Sequence, residues 1–514
     1  MLTEIAAVRS KNEFFEVHQG LIRENVMVNE SNRISRRRFC QNSLAAIAAA
    51  EMPFAGSTGT SLGREPLKDK PNILFIFSDQ QRWDSLECYG SPLFKGLTPN
   101  LDKLADEGVR FEHAFTCQPV CGPTRAVLQT GKYATEIGCF RNNIALPENE
   151  TTLAHRLSNA GYEVGYLGKW HLASSPGAPE KNFQTRPVPP RLRGGYKDFW
   201  LASDVLEFTS HGYGGHMFDD KEQKREYDQG RYRVDAQTDW ALEYLRQRKN
   251  DKPFFLFLSY IEPHHQNDHN HFEGPHGSKE RFKDYTVPGD LQGTKGDWRE
   301  EMPDYLGCIN SLDRNVGRIR DELTKLGLAR NTLIVYTSDH GCHFCTRNGE
   351  YKRSCHESSI RIPLIVHGPG FRGGKTVEKL VNLLDVHATV LAAGQVQLPV
   401  SCRGRALQEL VSAKVDDWPE DTFVQISESH VGRALRTRRW KYSVRAPGKN
   451  GAQDSASDLY VEDFLYDLQN DPHERKNLVS DPALSNLRAE LAQRLTERMI
   501  AIGEQKPVIK GTME

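Results

Sequence analysis

Three short runs of uninterrupted apolar residues constrain this chain most: Ile73-Leu74-Phe75-Ile76-Phe77, Phe254 to Ser259 and Thr332 to Thr337. Each is too short for an ordinary helix and lacks the alternation of a strand with one wet face. The pattern is that of a strand buried on both faces, as in a parallel sheet covered by helices on each side. Each run is followed by a polar cluster: Ser78-Asp79-Gln80, Glu262-Pro263-His264-His265 and Ser338-Asp339-His340. Two shorter strands join them, Val164 to Leu167, followed by Gly168-Lys169-Trp170-His171, and Pro363 to Val366. Helical patterns lie between, at Leu101 to Glu107, Thr151 to Ala160, Val234 to Gln247, Tyr305 to Leu326 and Val386 to Ala393. Gly108, Gly161 and Gly327 stop three of them. The alternation predicts an α/β fold, a large mostly parallel sheet flanked by helices.

From about residue 416 the texture changes. Val424 to Ile426, Gly432 to Thr437, Trp440 to Val444 and Phe464 to Leu468 read as short strands, and Leu484 to Ile500 as an amphipathic helix. A smaller C-terminal antiparallel sheet with one packing helix is the expectation. Residues 174–230 are rich in Pro, Gly and Arg and show no clear period, which suits a lid or binding loops.

The chain has 514 residues, more than one ordinary domain, and a formal net charge of −1. That charge excludes nucleic-acid binding by field alone. Ten cysteines at irregular spacing do not build a disulfide framework. No apolar run is long enough for a transmembrane span. Near the N-terminus, Ser35-Arg36-Arg37-Arg38-Phe39 precedes the weakly apolar Leu44 to Ala50. The arginines read as a Tat-type export signal, with a basic arm as the plainer alternative and Met27 as a possible start. The expected organisation is export signal and linker over 1–70, catalytic domain over 71–415 and C-terminal α+β subdomain over 416–514. The expected location is periplasmic or secreted.

In an open parallel sheet, ligands bind outside the carboxyl ends of the strands. Asp79, Lys169, His264, Asp339 and His340 each lie just past such an end. Singly, each reads as a turn or cap residue; their joint placement points to one rim. Asp79, Gln80, Asp339 and His340 offer a mainly oxygen donor set for Ca²⁺ or Mg²⁺ rather than zinc. The stretch Cys121-Gly122-Pro123-Thr124-Arg125 adds a cysteine just ahead of a helix, with Pro123 at the first helical position. Helix N-termini favour anions, and Arg125, Lys169 and Lys352 supply a clamp for a sulfuryl or phosphoryl group. A buried structural cysteine is the equal alternative on that stretch alone.

Cys121 to Arg125, continuing to Thr130-Gly131-Lys132-Tyr133, resembles the C-x-P-S/T-R signature of the formylglycine-dependent type I sulfatases of the alkaline-phosphatase superfamily. Gly161-Tyr162 with Gly168-Lys169-Trp170-His171 resembles the second family signature. The segments Pro71 to Asp79, Thr98 to Asp102, Pro263-His264, Ser338 to Gly341, Lys352 and Ser359 to Pro363 fit in order, as does the tail Leu465 to Pro472. The resemblance covers about residues 71–500. It implies that a formylglycine-generating or radical sulfatase-maturating enzyme oxidises Cys121 to formylglycine before folding and export. The hydrate is then the nucleophile. It further implies that Arg125 and His171 hold that hydrate, that Asp79, Gln80, Asp339 and His340 bind Ca²⁺, that Lys169 and Lys352 grip sulfate oxygens, and that His264 serves the leaving oxygen. Gln80 departs from the second Asp common in the family, and Thr124 from the commoner Ser. The implied activity is hydrolysis of sulfate esters, with a sulfated saccharide as the expected substrate. A phosphonate monoester or phosphodiester hydrolase, or an inactive sulfated-glycan-binding protein, is the alternative.

Arg347, Arg353, His356, His430 and Arg433 are candidate substrate contacts, since basic loops suit an anionic saccharide. Cys342, Cys345 and Cys355 with His343 and His356 match zinc spacing poorly; a Cys342–Cys355 disulfide is the alternative. Cys88, Cys117 and Cys139 are expected in the core, and Arg436, Arg438 and Arg439 mostly exposed.

Overall fold

The computed structural model describes residues 70–90, 92–248, 252–412 and 415–511. The export-signal segment lies outside the described residues. Among them the main sheet has eleven strands. In chain order these are β1 (Asn72–Ser78), β2 (Val109–Phe115), β3 (Glu163–Lys169), β4 (Phe199–Ser203), β5 (Tyr213–Asp219) and β6 (Lys224–Tyr232). They continue as β7 (Phe254–Ser259), β8 (Thr332–Ser338), β9 (Arg361–Ile362), β10 (Leu364–His367) and β11 (Lys375–Asn382). The lateral order is β11-β2-β10-β8-β1-β7-β3-β4-β5-β6, with β9 on β2.

The centre, β8-β1-β7-β3-β4, is all parallel. Every residue of β1, β7 and β8 is buried, as their unbroken apolar runs require. Antiparallel pairs flank this centre, β10 between β8 and β2 on one side, β5 and β6 beyond β4 on the other. Residues 174–230, expected as loop, thus carry three strands. The reason is visible in β6, where Lys224-Arg225-Glu226-Tyr227-Asp228-Gln229 is polar on both faces and at the sheet edge. An edge strand wet on both faces shows no apolar period.

Aromatic side chains fill one face behind the strand ends. Phe75 stacks on Phe257 at 4.6 Å, and Phe257 on Tyr166 at 5.1 Å. Tyr166 also meets Trp170 edge-on at 5.0 Å and stacks on Trp200 at 5.5 Å. On the other face the long helix Trp298–Lys325 packs Leu312, Val316, Ile319 and Leu323 against the sheet. That helix starts earlier than its period suggests, ahead of Pro303. A proline close to the N-terminal end removes few intrahelical bonds.

The C-terminal sheet comprises β12 (Asp421–Ile426), β13 (Gly432–Thr437), β14 (Trp440–Arg445), β15 (Leu459–Asp467) and β16 (Val508–Lys510). It is antiparallel up to β15, and β16 adds a parallel edge. The helix Ser485–Ala501 seats Leu491, Leu495 and Met499 on it. No helix among the described residues is long and apolar enough to cross a membrane.

A buried ion cluster ties this sheet to the segment after Lys352. Glu357 takes Arg436 at 3.1 Å and Lys441 at 2.7 Å, and Lys441 also reaches Glu474 at 2.5 Å. Arg436, expected to be exposed, is therefore buried, whereas Arg438 and Arg439 are the exposed pair. Burial opposes ionisation of Glu357, but Arg436 and Lys441 hold its carboxyl below its ordinary value near 4.5. Its contribution to stability is complete above about 4.5 and is lost as pH falls towards the depressed folded value. Glu357→Gln is expected to cost about 3 kcal/mol, because it leaves buried cations short of a partner. In urea the midpoint falls with unchanged slope. The gap to the parent chain narrows below pH about 4.5; a gap independent of pH would refute the assignment.

Candidate active site

Strand register sets the site. Ser78 pairs with Ser338, Phe77 with Ser259, and Ser259 with Gly168, so β1, β8, β7 and β3 end at one edge. Asp79 and Asp339 follow directly, Lys169 closes β3, and His264 lies on the turn after β7. Gly168 has a φ of +111°, and a Cβ there would stand 1.9 Å from the Ser259 carbonyl oxygen. Only glycine lets β3 approach β7 so closely while turning Lys169 inward.

Cys121 lies in the first turn of the helix Cys121–Thr130, not ahead of it, and Pro123 is the third helical residue. Proline costs nothing there either, since first-turn N–H groups have no intrahelical acceptor. All ten residues of this helix are buried. Gly122 N–H donates to Asn142 Oδ1 at 2.8 Å, and the Thr116 and Thr124 hydroxyls pair at 3.0 Å.

The Cys121 sulfur faces the rim. Its Sγ accepts from Lys352 Nζ at 3.0 Å and lies 3.2 Å from His340 Nε2 and 3.5 Å from Asp79 Oδ1. Burial alone raises a thiol, but Lys352, Lys169 and His340 hold this one well below its ordinary value. The position is thus an anion site built of cations. Asp79 is its counterweight: Oδ2 takes Lys169 Nζ at 2.9 Å and Arg125 Nη2 at 3.0 Å. Burial and Cys121 push the Asp79 carboxyl up, yet Lys169, His264 and Arg125 together keep it below the ordinary range. Arg125 also donates to the Lys169 carbonyl and to Ser259 Oγ, both at 2.8 Å.

Asp79, Cys121, Asp339 and His340 bring ligand atoms within 4.8 Å of one another in a buried cluster. Asp339 Oδ1 accepts from the Gln80 and His340 N–H groups, while its buried Oδ2 has no hydrogen bond. Burial and Asp79 push the Asp339 carboxyl up to about 7. That oxygen lies 3.7 Å from Arg125 Nη2, and two buried carboxylates, one of them with an oxygen outside any hydrogen bond, fit a bound cation. Gln80 Oε1 lies 3.3 Å from Lys352 Nζ, and the residue has a φ of +68°. Burial, Lys352 and Lys169 push His264 down to about 4, so its ring is neutral. Its Nε2 accepts from Lys352 at 2.8 Å, and Nδ1–H donates to the His265 carbonyl at 2.6 Å.

The ten residues expected at the rim are therefore brought together, all buried. The five candidate substrate contacts each engage protein partners of their own. Arg433 is fully buried against Glu504, Gly432 and Ser455. His356 is buried against Tyr466, and Arg347 donates to the His473 and Glu474 carbonyls. These three are held by the C-terminal portion of the chain. Arg353, next to Lys352, pairs with Glu428 at 2.7 Å and Glu350 at 3.0 Å. His430 pairs with Ser429, and its ring is pushed down to about 4 by burial and Arg445. All described cysteines are free thiols, so no Cys342–Cys355 bridge exists. Cys342 instead packs near Gln80, and Cys355 beside β12 and β13. Cys117 and Cys139 are core residues, whereas Cys88 is half-buried.

Sequence reasoning missed Glu207, buried with Oε2 3.4 Å from Lys169 Nζ, and Asn142 and Ser259. Ser259 ends an apolar run and could have been flagged by position; Glu207 and Asn142 carry no local signal.

The sulfatase family profile matches residues 71–396, and the profile of the N-sulphoglucosamine sulphohydrolase C-terminal domain matches residues 349–501. The chain is 29% identical over 456 residues to an ulvan-active sulfatase of Formosa agariphila, spanning 85% of this chain and 82% of that one. It is 30% identical over 475 residues to the sulfatase YidJ of Escherichia coli K12, spanning 84% and 87%. The crystal structure of the Bacteroides fragilis sulfatase yidJ superposes with a TM-score of 0.72 at 27% identity, covering 86% of this chain and 98% of that one. With the profile spanning more than half of its length, the chain belongs to the sulfatase family of the alkaline-phosphatase superfamily and is a sulfuric ester hydrolase with an N-sulphoglucosamine sulphohydrolase-type C-terminal domain.

Proposed function

We propose that this enzyme removes sulfate from a sulfated carbohydrate, with residue 121 as the nucleophile in its formylglycine form and calcium at the Asp79–Asp339 centre. The placement of Cys121 carries the reading. Its side chain is the meeting point of Lys352, His340 and Asp79, at the first turn of a buried helix. A relative named for ulvan and a C-terminal domain profile named for N-sulphoglucosamine support a saccharide. The Arg36-Arg37 motif supports export, so the proposed place of action is the periplasm or the medium.

Formylglycine supplies, as its hydrate, an attacking hydroxyl and a second hydroxyl that expels sulfate afterwards. The residues around it divide the remaining work. Lys352 and Lys169 hold their protons, the latter because Asp79 and Glu207 outweigh burial, and both present charge to sulfuryl oxygens. Arg125 fixes Asp79 from behind, and His171 is placed to hold the side chain at 121. His264 is neutral and shares a proton with Lys352, so the leaving oxygen draws its proton from that pair rather than from a free imidazolium. Asp79, Gln80, Asp339 and His340 would hold calcium, which offsets the paired carboxylates and polarises a sulfuryl oxygen.

Cys121→Ala is expected to lower turnover of sulfate esters by at least about 10³-fold while substrate still binds. Mass spectrometry of the tryptic peptide spanning residue 121 should find the aldehyde; surviving hydrolysis, or a plain thiol in active enzyme, contradicts the assignment. Sulfate monoesters should turn over faster than matched phosphonate monoesters, and the reverse order would move the enzyme to the phosphonate branch. Calcium must displace the proton that Asp339 holds up to about pH 7. In chelated enzyme, calcium affinity should rise by up to about tenfold per pH unit towards 7 and then level off. An affinity that does not change across that range removes Asp339 from the ligand set.

A further inference from the structure

Three consecutive residues of the C-terminal subdomain, Ser427, Glu428 and Ser429, follow β12 and reach both loops that enclose Cys121. On one side lie the turn leading into the Cys121 helix and the segment that caps it. Gln118 Nε2 donates to Ser427 Oγ at 2.6 Å, and the Asn142 N–H donates to Glu428 Oε1 at 2.7 Å. Asn142 Oδ1 in turn accepts the Gly122 N–H at 2.8 Å, the N–H that follows residue 121. That group has no acceptor within its own helix. On the other side lies the loop that carries Lys352. Glu428 Oε2 meets Arg353 Nη2 at 2.7 Å, and Ser429 Oγ donates to the Arg353 carbonyl at 2.7 Å. The Arg353 N–H closes the ring on the Pro119 carbonyl at 3.2 Å. Of the three residues, Glu428 alone spans both sides, with one carboxylate oxygen for each.

The backbone is bent to allow this. Glu428 has a φ of +64°, Arg353 of +68° and Asn143, beside Asn142, of +61°. Asparagine tolerates such backbone; glutamate and arginine rarely adopt it. It persists where the surroundings hold it, and such sites cluster where geometry serves function. The Glu428 N–H donates to the Gly451 carbonyl at 2.9 Å, and a Cβ on Gly451 would stand 2.8 Å from that nitrogen. The side chains of Glu428 and Arg353 are 12% and 22% exposed, so their bond is partly shielded from water.

We propose that Glu428 is a positioning residue for hydrolysis, which sets residue 121 and Lys352 in one geometry from a subdomain that contributes neither. The inference rests on residue 121 as the nucleophile. One carboxylate oxygen holds the Gly122 N–H through Asn142, and the other holds Lys352 through its neighbour Arg353. Lys352 Nζ and Cys121 Sγ, 3.0 Å apart, belong to residues 231 positions apart in the chain. Glu428 touches neither the side chain at 121 nor Lys352 Nζ. It acts by fixing where the attacking atom stands relative to the cation that meets the sulfuryl oxygens. An amide at this position keeps the shape but loses the charge that grips the guanidinium.

The test is Glu428→Gln in the full-length, matured enzyme, with amide hydrogen exchange, formylglycine content and steady-state kinetics measured on the same preparations. Peptides holding Gly122 and Lys352 should exchange at least about tenfold faster, while β1 and β8 stay protected. At equal formylglycine content, kcat for sulfate esters should fall by roughly 10–100-fold, with KM changed by less than about threefold. Asn142→Ala should also lower kcat, and adding Glu428→Gln to it should cost less than in the parent, since the two lie on one path. Glu350→Gln, which removes the more exposed partner of Arg353, should leave kcat and exchange unchanged. Unfolding temperatures show that the variants are folded. Faster exchange confined to β12 and β13, unchanged exchange at Gly122 and Lys352, or losses from Glu428→Gln and Asn142→Ala that simply multiply, overturns the proposal. A plain thiol at residue 121 in active parent enzyme refutes the nucleophile instead; the exchange result tests the bridge independently of it.

Discussion

Everything at the rim depends on one buried carboxylate. Asp79 is fully enclosed and touches Lys169 at 2.9 Å, Arg125 at 3.0 Å, Cys121 at 3.5 Å, His340 at 3.7 Å and His264 at 3.9 Å. An isolated buried charge is prohibitively costly, and removing one partner of a buried pair costs several kcal/mol. The network is therefore all or nothing. It persists only if β1, β3, β7 and β8 end in register and the Cys121 helix is seated on them. The unbroken apolar strands are the other half of the same arrangement, since they hold the strand ends rigid without competing polar groups. Preorganised charge of this kind needs no rearrangement when an anionic ester arrives.

Lys352 is the exception to the strand-end rule. It comes from a loop rather than a strand, yet it contacts Cys121, His264 and Gln80. The loop is held from outside. Arg353 is pinned by Glu428, Ser429 donates to the Arg353 carbonyl, and Glu357 is locked by Arg436 and Lys441 of the C-terminal sheet. The C-terminal subdomain thus acts as the clamp that places Lys352 beside Cys121. Arg347 and His356 belong to this holding function, through the His473 and Glu474 carbonyls and the Tyr466 hydroxyl, whereas Arg433 is spent within the C-terminal portion on Glu504, Gly432 and Ser455.

The central sheet and Asp79, Gln80, His264, Asp339 and His340 were legible because an uninterrupted apolar run has a polar cluster beyond its end, whereas Cys121, Arg125, His171 and Lys352 were legible through their resemblance to the family's motifs. Ser78-Asp79 and Ser338-Asp339 show both. What stayed hidden lacked one or the other. β6 has no apolar period, and Arg436 looks solvated until Glu357 is found 79 residues away. Glu207 needs the fold to bring it to Lys169. The side chains of residues such as Arg433 and Arg353 look alike in sequence, and only their partners divide them. Pro123 misled by two positions, because proline is tolerated throughout the first helical turn.

The burial of Cys121 has a consequence in time. Its shell includes Lys352, which follows 231 residues later in the chain. At about 5–20 residues per second, synthesis leaves the thiol without that wall for roughly 10–50 seconds. Once Lys352 and the C-terminal clamp arrive, all ten residues of the helix are closed off. For the proposed formylglycine, that interval is the window in which a modifying enzyme would meet residue 121 before the shell closes.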